Sequence, residues 1–357
     1  MNEVYSLKII DIQKETENSK SVTLQVPEKL KENFIYKPGQ YITLQFYLKE
    51  QQVRRSYSLC SSPVLNTSLK IGVKRVENGL ISNHIHENLN VGDFIDVLAP
   101  NGRFYAEIKK ENYKTYYLFA AGSGITPIIS ILKTVLFVEE KSFVYMIYGN
   151  KNHKSIMFKE ELKQLELEYK DRFTLIHTLS NPISSWSDLW KKEENKFIKG
   201  RVDVTSISWL INQFPPYAQN TAYYICGPGT MINNTVKTLQ GIDVPESRIF
   251  IESFGSPKIN EVVNVVDGAS LIVHLENKKI EISIPLGKTI LRALLDNKYN
   301  PPYLCEGGVC GSCVCKVKNG RVYMNNNAAL TDEKIKEGYV LSCQSLPLTD
   351  SVEIIYE

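Results

Sequence analysis

At 357 residues the chain is longer than one hydrophobic core ordinarily serves, so two or three domains are expected. Its 43% hydrophobic and 23% charged residues are those of a globular protein and exclude a disordered one. A net charge of +3 lacks the basic surplus that nucleic acid demands, and the opening MNEVYSLKIIDIQKETENSK has no apolar run flanked by positive charge. The expected location is therefore the cytoplasm.

The first hundred residues read as short strands separated by turns. Tyr41–Phe46 (YITLQF) and Leu69–Val76 (LKIGVKRV) alternate in the β manner, and Gly39, Gly79, Gly92 and Gly102 punctuate them. Strands spaced so closely suit a small barrel or sandwich. Inside this region Arg54-Arg55-Ser56-Tyr57-Ser58 has the pattern that a flavin nucleotide calls for. Arg55 can fork onto a phosphate, Tyr57 can lie against the isoalloxazine, and Ser58 can hydrogen-bond near N5. A solvated basic pair beside a strand is the alternative. Gly79-Leu80-Ile81-Ser82 precedes an expected helix over Asn83–Leu89, and a helix start is a seat for a pyrophosphate. The helix dipole contributes only about 0.3–1 kcal/mol there, against about 1.5–3 kcal/mol for a charge-assisted hydrogen bond, so Arg55 should dominate.

From about Glu111 apolar strands alternate with helices. Tyr116–Ala120, Phe143–Tyr148 and Ala222–Cys226 are the strands; Pro127–Val138, Phe158–Tyr169 and Thr230–Leu239 are the helices. This rhythm predicts a parallel sheet covered on both faces. Thr115–Val138 is long and apolar enough to imitate a membrane span, but Gly122, Ser123, Gly124, Thr126 and Pro127 interrupt it, so a strand, a glycine loop and a helix are expected, and no membrane. That loop, AAGSGITP (120–127), and a second one, CGPGTM (226–231), each end a strand where nucleotides bind in such sheets.

Beyond Glu252–Pro257 (ESFGSP), residues 257–264 look like a linker, followed by a hairpin of Leu271–Glu276 and Lys279–Ile284 turning at Asn277–Lys278, and a helix near Thr289–Asp296. Five of the seven cysteines fall after residue 304. Cys305, Cys310, Cys313 and Cys343 have the C-x4-C-x2-C…C spacing that ties a [2Fe–2S] cluster. Gly307, Gly308 and Gly311 give the loop its backbone freedom. Zinc, the competing metal, usually takes two close cysteine pairs, and only one is present. Cys315, two residues past Cys313, is expected to pack as a small hydrophobe. The five histidines lack ligand spacing. Residues 266–357 carry 10 Lys+Arg against 11 Asp+Glu, a near-neutral balance that suits a domain tethered to its electron donor.

Taken in order, RRSYSLCSS (54–62), GVKRVENGLISNHI (72–85), AAGSGITP (120–127), YGNKNHKSIMF (148–158), CGPGTM (226–231), ESFGSP (252–257), CEGGVCGSCVCKV (305–317) and GYVLSCQSLPLT (338–349) resemble the ferredoxin–NADP reductase superfamily with an appended ferredoxin domain. The resemblance implies a multidomain β + α/β + α+β chain. It would consist of an FAD-binding β-barrel over 1–108, a parallel-sheet NAD(P)-binding α/β domain over 109–256, a linker over 257–265 and a ferredoxin-like β-grasp [2Fe–2S] domain over 266–357. It implies FAD against Arg55, Tyr57 and Ser58, with Val73, Lys74, Gly79, Ile81 and Ser82 on the phosphate side. It implies the nicotinamide nucleotide near Gly122, Thr126, Cys226, Gly227 and Met231. Phe254 would cover the flavin ring until nicotinamide displaces it, with core packing as the alternative. Relatives that prefer NADP often carry a serine and an arginine after the third strand; here Leu179-Ser180-Asn181-Pro182 lacks the arginine. Lys151, Lys154 and Arg201 are the candidate substitutes, and the resemblance leans to NADPH without deciding it.

The implied function is an NAD(P)H-dependent reductase that feeds a terminal oxygenase, with a di-iron epoxidase acting on an aryl-CoA as the first choice. A steroid hydroxylase, Rieske dioxygenase or desaturase is the alternative partner. A redox sensor without turnover is the remaining reading.

Overall fold

The structure, a computed structural model, describes residues 3–48, 50–65, 68–182, 197–218, 220–254, 265–327 and 329–357. The expected linker over 257–265 lies outside the described residues except for Val265. The chain divides into two units, 1–253 and 254–357.

In the first unit, strands β1 (Val4–Thr16), β2 (Ser19–Gln25), β3 (Tyr41–Leu48), β4 (Gln51–Ser58), β5 (Leu69–Lys74) and β6 (Phe94–Asn101) pair antiparallel in the order β4-β3-β6-β1-β2-β5. Leu59, just past β4, bridges to Ile71 of β5, and Cys60 N donates to the Lys70 carbonyl at 2.8 Å. These contacts bring the outer strands together as a barrel, removing the open edges that an antiparallel sheet would otherwise present. Alternate residues point inward, and Leu7, Ile9, Val22, Leu24, Ile42, Leu44 and Val97 fill the interior. Helix α1 (Leu80–Glu87) begins three residues before the expected Asn83. Gly79 is its N-cap, in extended conformation, and Ser82 in the first turn accepts from Val76 N at 3.2 Å.

The second sheet is wholly parallel. Strands β7 (Thr115–Ala121), β8 (Phe143–Asn150), β9 (Phe173–Leu179), β10 (Phe197–Lys199), β11 (Thr221–Cys226) and β12 (Ile249–Glu252) run in the order β10-β9-β8-β7-β11-β12. Helices α2 (Ile125–Val138) and α3 (Lys159–Glu168) cover one face, α4 (Val204–Gln213) and α5 (Gly229–Gln240) the other. Burial on two faces explains the unbroken apolar run of β7. Helix α2 is apolar nearly all round because it is also enclosed twice. It packs on the sheet, and it carries the barrel through Ser130 Oγ, which donates to the Ser61 carbonyl at 2.6 Å, and Thr134 Oγ1, 2.9 Å from Ser62 Oγ. The span-like stretch Thr115–Val138 is therefore β7, a glycine turn and α2. Among the described residues no helix is long and apolar enough to cross a membrane.

At the opposite end of this sheet, the fully buried Glu139 closes α2. Its carboxylate accepts from Tyr116 OH at 3.0 Å, Ser142 Oγ at 2.6 Å, Lys109 N at 3.3 Å and Asn112 Nδ2, tying the segment that joins barrel and sheet to α2.

The second unit contains β13 (Ala269–Leu275), β14 (Lys278–Ile284), β15 (Val314–Asn319), β16 (Val322–Met324), β17 (Tyr339–Leu341), β18 (Ser345–Pro347) and β19 (Ser351–Ile355). The main sheet runs β14-β13-β19-β15-β17, with β13 and β19 parallel, and β16 pairs with β18. Helix α6 (Ile290–Asp296), capped by the Thr289 side chain, packs its Ile290, Ala293 and Leu294 into the core of that sheet, and α7 (Asp332–Lys336) precedes β17. This is a β-grasp arrangement. The first hairpin turns at Glu276–Asn277, one residue before the expected position, because Lys278 already pairs with Leu275. Both turn residues have positive φ, 49° and 61°, which suits the right-handed twist of the strands.

Replacing Glu139 with Ala would leave Tyr116, Ser142 and Asn112 without their shared acceptor. The expected loss is about 3 kcal/mol, read as a lower urea midpoint at unchanged slope.

Candidate nucleotide and iron–sulfur sites

The order of the parallel sheet reverses between β7 and β11, whose loops depart to opposite faces and leave a crevice at the strand ends. Both glycine loops lie there. A Cβ on Gly124 would sit 2.1 Å from the Cys226 carbonyl oxygen, so only glycine lets the two loops meet. Gly122 has φ +55° and accepts on its carbonyl from Tyr148 OH at 3.0 Å. Gly227 is roofed by the buried Met231, whose Cε lies 2.6 Å from the place a Cβ would take.

The barrel delivers its own residues to this crevice. Ser58 ends β4 and Glu252 ends β12, paired in register with Cys226, and Ser58 Oγ donates to Glu252 Oε2 at 3.2 Å. Burial pushes the Glu252 carboxyl up to about 8, against the opposing hydrogen bond from Ser58. At neutral pH it is mostly the neutral acid. Burial, followed by the proximity of Glu252, raises the Cys226 thiol well above its ordinary range. Ser58 and Glu252 thus form an uncharged, hydrogen-bonded pair beside Cys226, which packs in the hydrophobic core of the sheet. Sequence reasoning placed Ser58 and Cys226 here but gave Glu252 no role, since nothing in ESF signals that its acid is buried.

Among the residues expected on the phosphate side, Lys74 Nζ lies 3.4 Å from the Cβ position of Gly122, and desolvation lowers its ammonium. Val73 is buried and accepts on its carbonyl from His86 Nε2 at 3.1 Å. Ile81 is buried in the barrel core, and neither Gly79 nor Ser82 offers a side-chain cap to the first amides of α1. Helices α2 and α5 also begin without a side-chain cap. Uncapped helix starts keep N–H groups for an anion. Arg55 is exposed on β4, and its Nη1 donates to the Arg54 carbonyl at 2.7 Å. Tyr57 is half-buried, and burial pushes its hydroxyl up while Arg55 opposes the shift. Thr126 sits differently from a residue that only lines a ligand: its Oγ1 donates to the Ser123 carbonyl at 3.0 Å and its methyl closes on Gly72 of β5. Phe254 is exposed and follows Glu252 by two residues.

The second unit brings the four spaced cysteines near one another, with Cys310 acting on the Cys305 thiol and Cys343 on the Cys313 thiol. The neighbouring Cys305, then Ser312, lowers the Cys310 thiol, and Cys343 lowers that of Cys313. Gly307 N and Ser312 N point at the sulfurs of Cys305 and Cys310, at 3.3 and 3.4 Å. Gly308 and Gly311 adopt φ +77° and +75°, and a Cβ on Gly308 would lie 2.9 Å from the Asn326 carbonyl oxygen. Among the described residues no three His, Cys, Asp or Glu side chains converge to hold a single metal ion. Two pairs of thiols suit a rhomb of two irons, each taking one pair. Cys315 lies on β15, buried in the hydrophobic core, and burial raises its thiol.

Three family models match successive parts of the chain: an oxidoreductase FAD-binding domain over residues 6–105, an oxidoreductase NAD-binding domain over 118–237, and a 2Fe-2S iron-sulfur cluster binding domain over 273–348. One of the subunits of 1,2-phenylacetyl-CoA epoxidase from Escherichia coli (strain K12) is 33% identical over 361 residues, covering 100% of this chain and 99% of that one. The chain belongs to the FAD- and [2Fe–2S]-containing NAD(P)H reductases. The ferredoxin reductase component of 3-ketosteroid-9-alpha-monooxygenase from Rhodococcus rhodochrous is 32% identical to this reductase, over 98% of this chain and 95% of that one. Phthalate dioxygenase reductase has the same fold, with a TM-score of 0.69 at 22% identity over 99% of this chain and 98% of the other. The reductase thus carries electrons from NAD(P)H through FAD and a [2Fe–2S] cluster.

The raised Glu252 carboxyl makes folding depend on pH. Its folded value, about 8, exceeds the ordinary 4.5, so the folded state holds the extra proton between those values. Its contribution to stability is complete below pH 4.5 and is lost as pH rises through 8. Glu252→Gln should remove this slope, so the variant gains stability relative to the parent between pH 5 and 8 in parallel urea titrations.

Proposed function

We propose that this reductase supplies electrons to a di-iron terminal oxygenase, a phenylacetyl-CoA epoxidase, in the cytoplasm. The likeness to a component of that epoxidase over the whole chain supports this partner. The steroid monooxygenase component is nearly as similar, so that oxygenase is the comparison partner in the test. The working modules are 1–108 for FAD, 109–256 for NAD(P)H and 266–357 for the cluster, with 257–265 joining them.

The single observation that supports the site assignment best is the hydrogen bond from Ser58 of the barrel to Glu252 beside Cys226, at the sheet's reversal point. Ser58 and Tyr57 would face the flavin ring. Arg55, Lys74 and the amides of α1 from Gly79 through Ser82 would hold its diphosphate, with Val73 and Ile81 fixing the backbone behind them. The nicotinamide nucleotide would enter over Gly122, Thr126, Gly227 and Met231, and Phe254 would shield the ring when no nucleotide is bound. Cys305, Cys310, Cys313 and Cys343 would hold the cluster. FAD, when bound, takes up hydride as an electron pair and gives electrons singly, which a [2Fe–2S] centre requires. The protein's part is to align nicotinamide against the flavin, keep the crevice uncharged through Cys226 and Glu252, and anchor the phosphates. No step needs a general base.

The 2′-phosphate of NADPH would meet Lys151 and Arg201. Both follow strand ends on the rim, where Asn181 N donates to the Lys151 carbonyl at 2.7 Å and Gly200 N to the Leu179 carbonyl at 2.9 Å. Stopped-flow reduction with NADH and NADPH in parallel decides the nucleotide. Adding purified phenylacetyl-CoA epoxidase or 3-ketosteroid monooxygenase to the reduced protein decides the acceptor; reoxidation by neither would refute the assignment to these oxygenases.

Arg55→Ala should weaken FAD roughly 10- to 100-fold, the equivalent of about 1.5–3 kcal/mol, and retention of full flavin after dilution and gel filtration would contradict its phosphate role. Cys313→Ser should abolish iron–sulfur absorbance while NAD(P)H still bleaches the flavin. Surviving absorbance would remove Cys313 from the ligand set.

A further inference from the structure

Donors reach the cysteine sulfurs in two ways. Those from Gly307 to Cys305 and from Ser312 to Cys310 include backbone amides, set by the path of the loop. At Cys343 the donor is a side-chain amide: Gln344 Nε2 lies 3.6 Å from Cys343 Sγ. The same nitrogen lies 3.0 Å from the Glu306 carbonyl and 3.0 Å from the Cys343 carbonyl, so its two hydrogens are shared between these carbonyls and the sulfur. Gln344 therefore spans the two segments that bear the thiols.

Its placement is tightly specified. Gln344 is buried, and its Cγ lies 2.9 Å from the position a Cβ on Gly308 would take, so glycine at 308 gives it room. The Glu306 carbonyl it reaches belongs to a residue held twice. Glu306 has φ +50°, and its carboxylate pairs with Arg292 of α6 at 2.6 Å. One residue on, the Gly307 carbonyl accepts from Asn326 Nδ2 at 2.6 Å. A carboxylate or a thioether at 344 would match the size of glutamine but donate nothing.

We propose that Gln344 is a positioning residue that sets the reduction potential of the cluster, an inference that rests on the cluster assignment made above. Reduction adds negative charge that spreads onto the sulfurs, and an N–H directed at a ligand sulfur in a buried site stabilises that charge. Removing the donor makes reduction less favourable and leaves the cluster a weaker electron acceptor.

The test uses the full chain, purified anaerobically, as Gln344→Met and Gln344→Glu. Dye-mediated redox titration is followed by visible absorbance and by electron paramagnetic resonance of the reduced cluster. In Gln344→Met the one-electron reduction constant should fall roughly tenfold, a midpoint about 59 mV lower, with altered g-values. Gln344→Glu should fall at least as far at a pH where its carboxyl is ionised, because that charge opposes reduction, and should recover as the acid takes up a proton and donates again. Flavin reduction by NAD(P)H should stay unchanged in both. A potential does not depend on how many molecules are loaded, so partial loading leaves the measurement valid. Unchanged midpoints and spectra in loaded variants would overturn the proposal. Complete loss of the cluster from both would also overturn it, reducing Gln344 to a clamp. A parent protein without iron and sulfide would sink the cluster assignment itself.

Discussion

Gly124 lies so close to the Cys226 carbonyl that no side chain can stand between them, and the order of the first unit follows from that contact. It brings the loops after β7 and β11 together at the one place where the sheet changes direction. Helix α2, leaving the first loop, must pass between sheet and barrel, and Gly72 on β5 makes room for Thr126. Barrel and sheet are thereby held with the end of β4 beside the end of β12, which is the condition for Ser58 to reach Glu252. A side chain at either glycine would shift its neighbours, and with them the alignment of barrel and sheet.

The electrostatics of the crevice match its position. With nicotinamide placed as proposed, an ionised carboxylate here would favour its positively charged product through its charge alone. Burial instead keeps Glu252 largely neutral near pH 7, able to exchange hydrogen bonds without imposing a field. Lys74 brings a cationic group to Gly122, and Arg55 carries a second, exposed on β4. In the second unit the logic is reversed. Backbone amides and the Gln344 side chain point at sulfur, so negative charge is welcomed where electrons are to reside.

Sequence periodicity was informative where one physical cause dominates. The apolar run of β7 and the spacing of Cys305, Cys310, Cys313 and Cys343 each reflect a single demand: two-sided burial, or four thiols for one cluster. It failed at boundaries settled by competing local bonds. Helix α1 starts at Leu80 because Gly79 takes an extended N-cap conformation, and the hairpin turns one residue early because Lys278 pairs with Leu275.

By itself the sequence determined the cysteine spacing, the two glycine loops and the barrel-then-parallel-sheet order, since each depends on residues close together in the chain. Only tertiary structure decided that the half-buried Glu252 accepts from Ser58, 194 residues away, and that Gln344 reaches back to Glu306, 38 residues away. The charge state of an acid and the direction of an amide depend on what surrounds them in space, and residue order does not encode those neighbours locally.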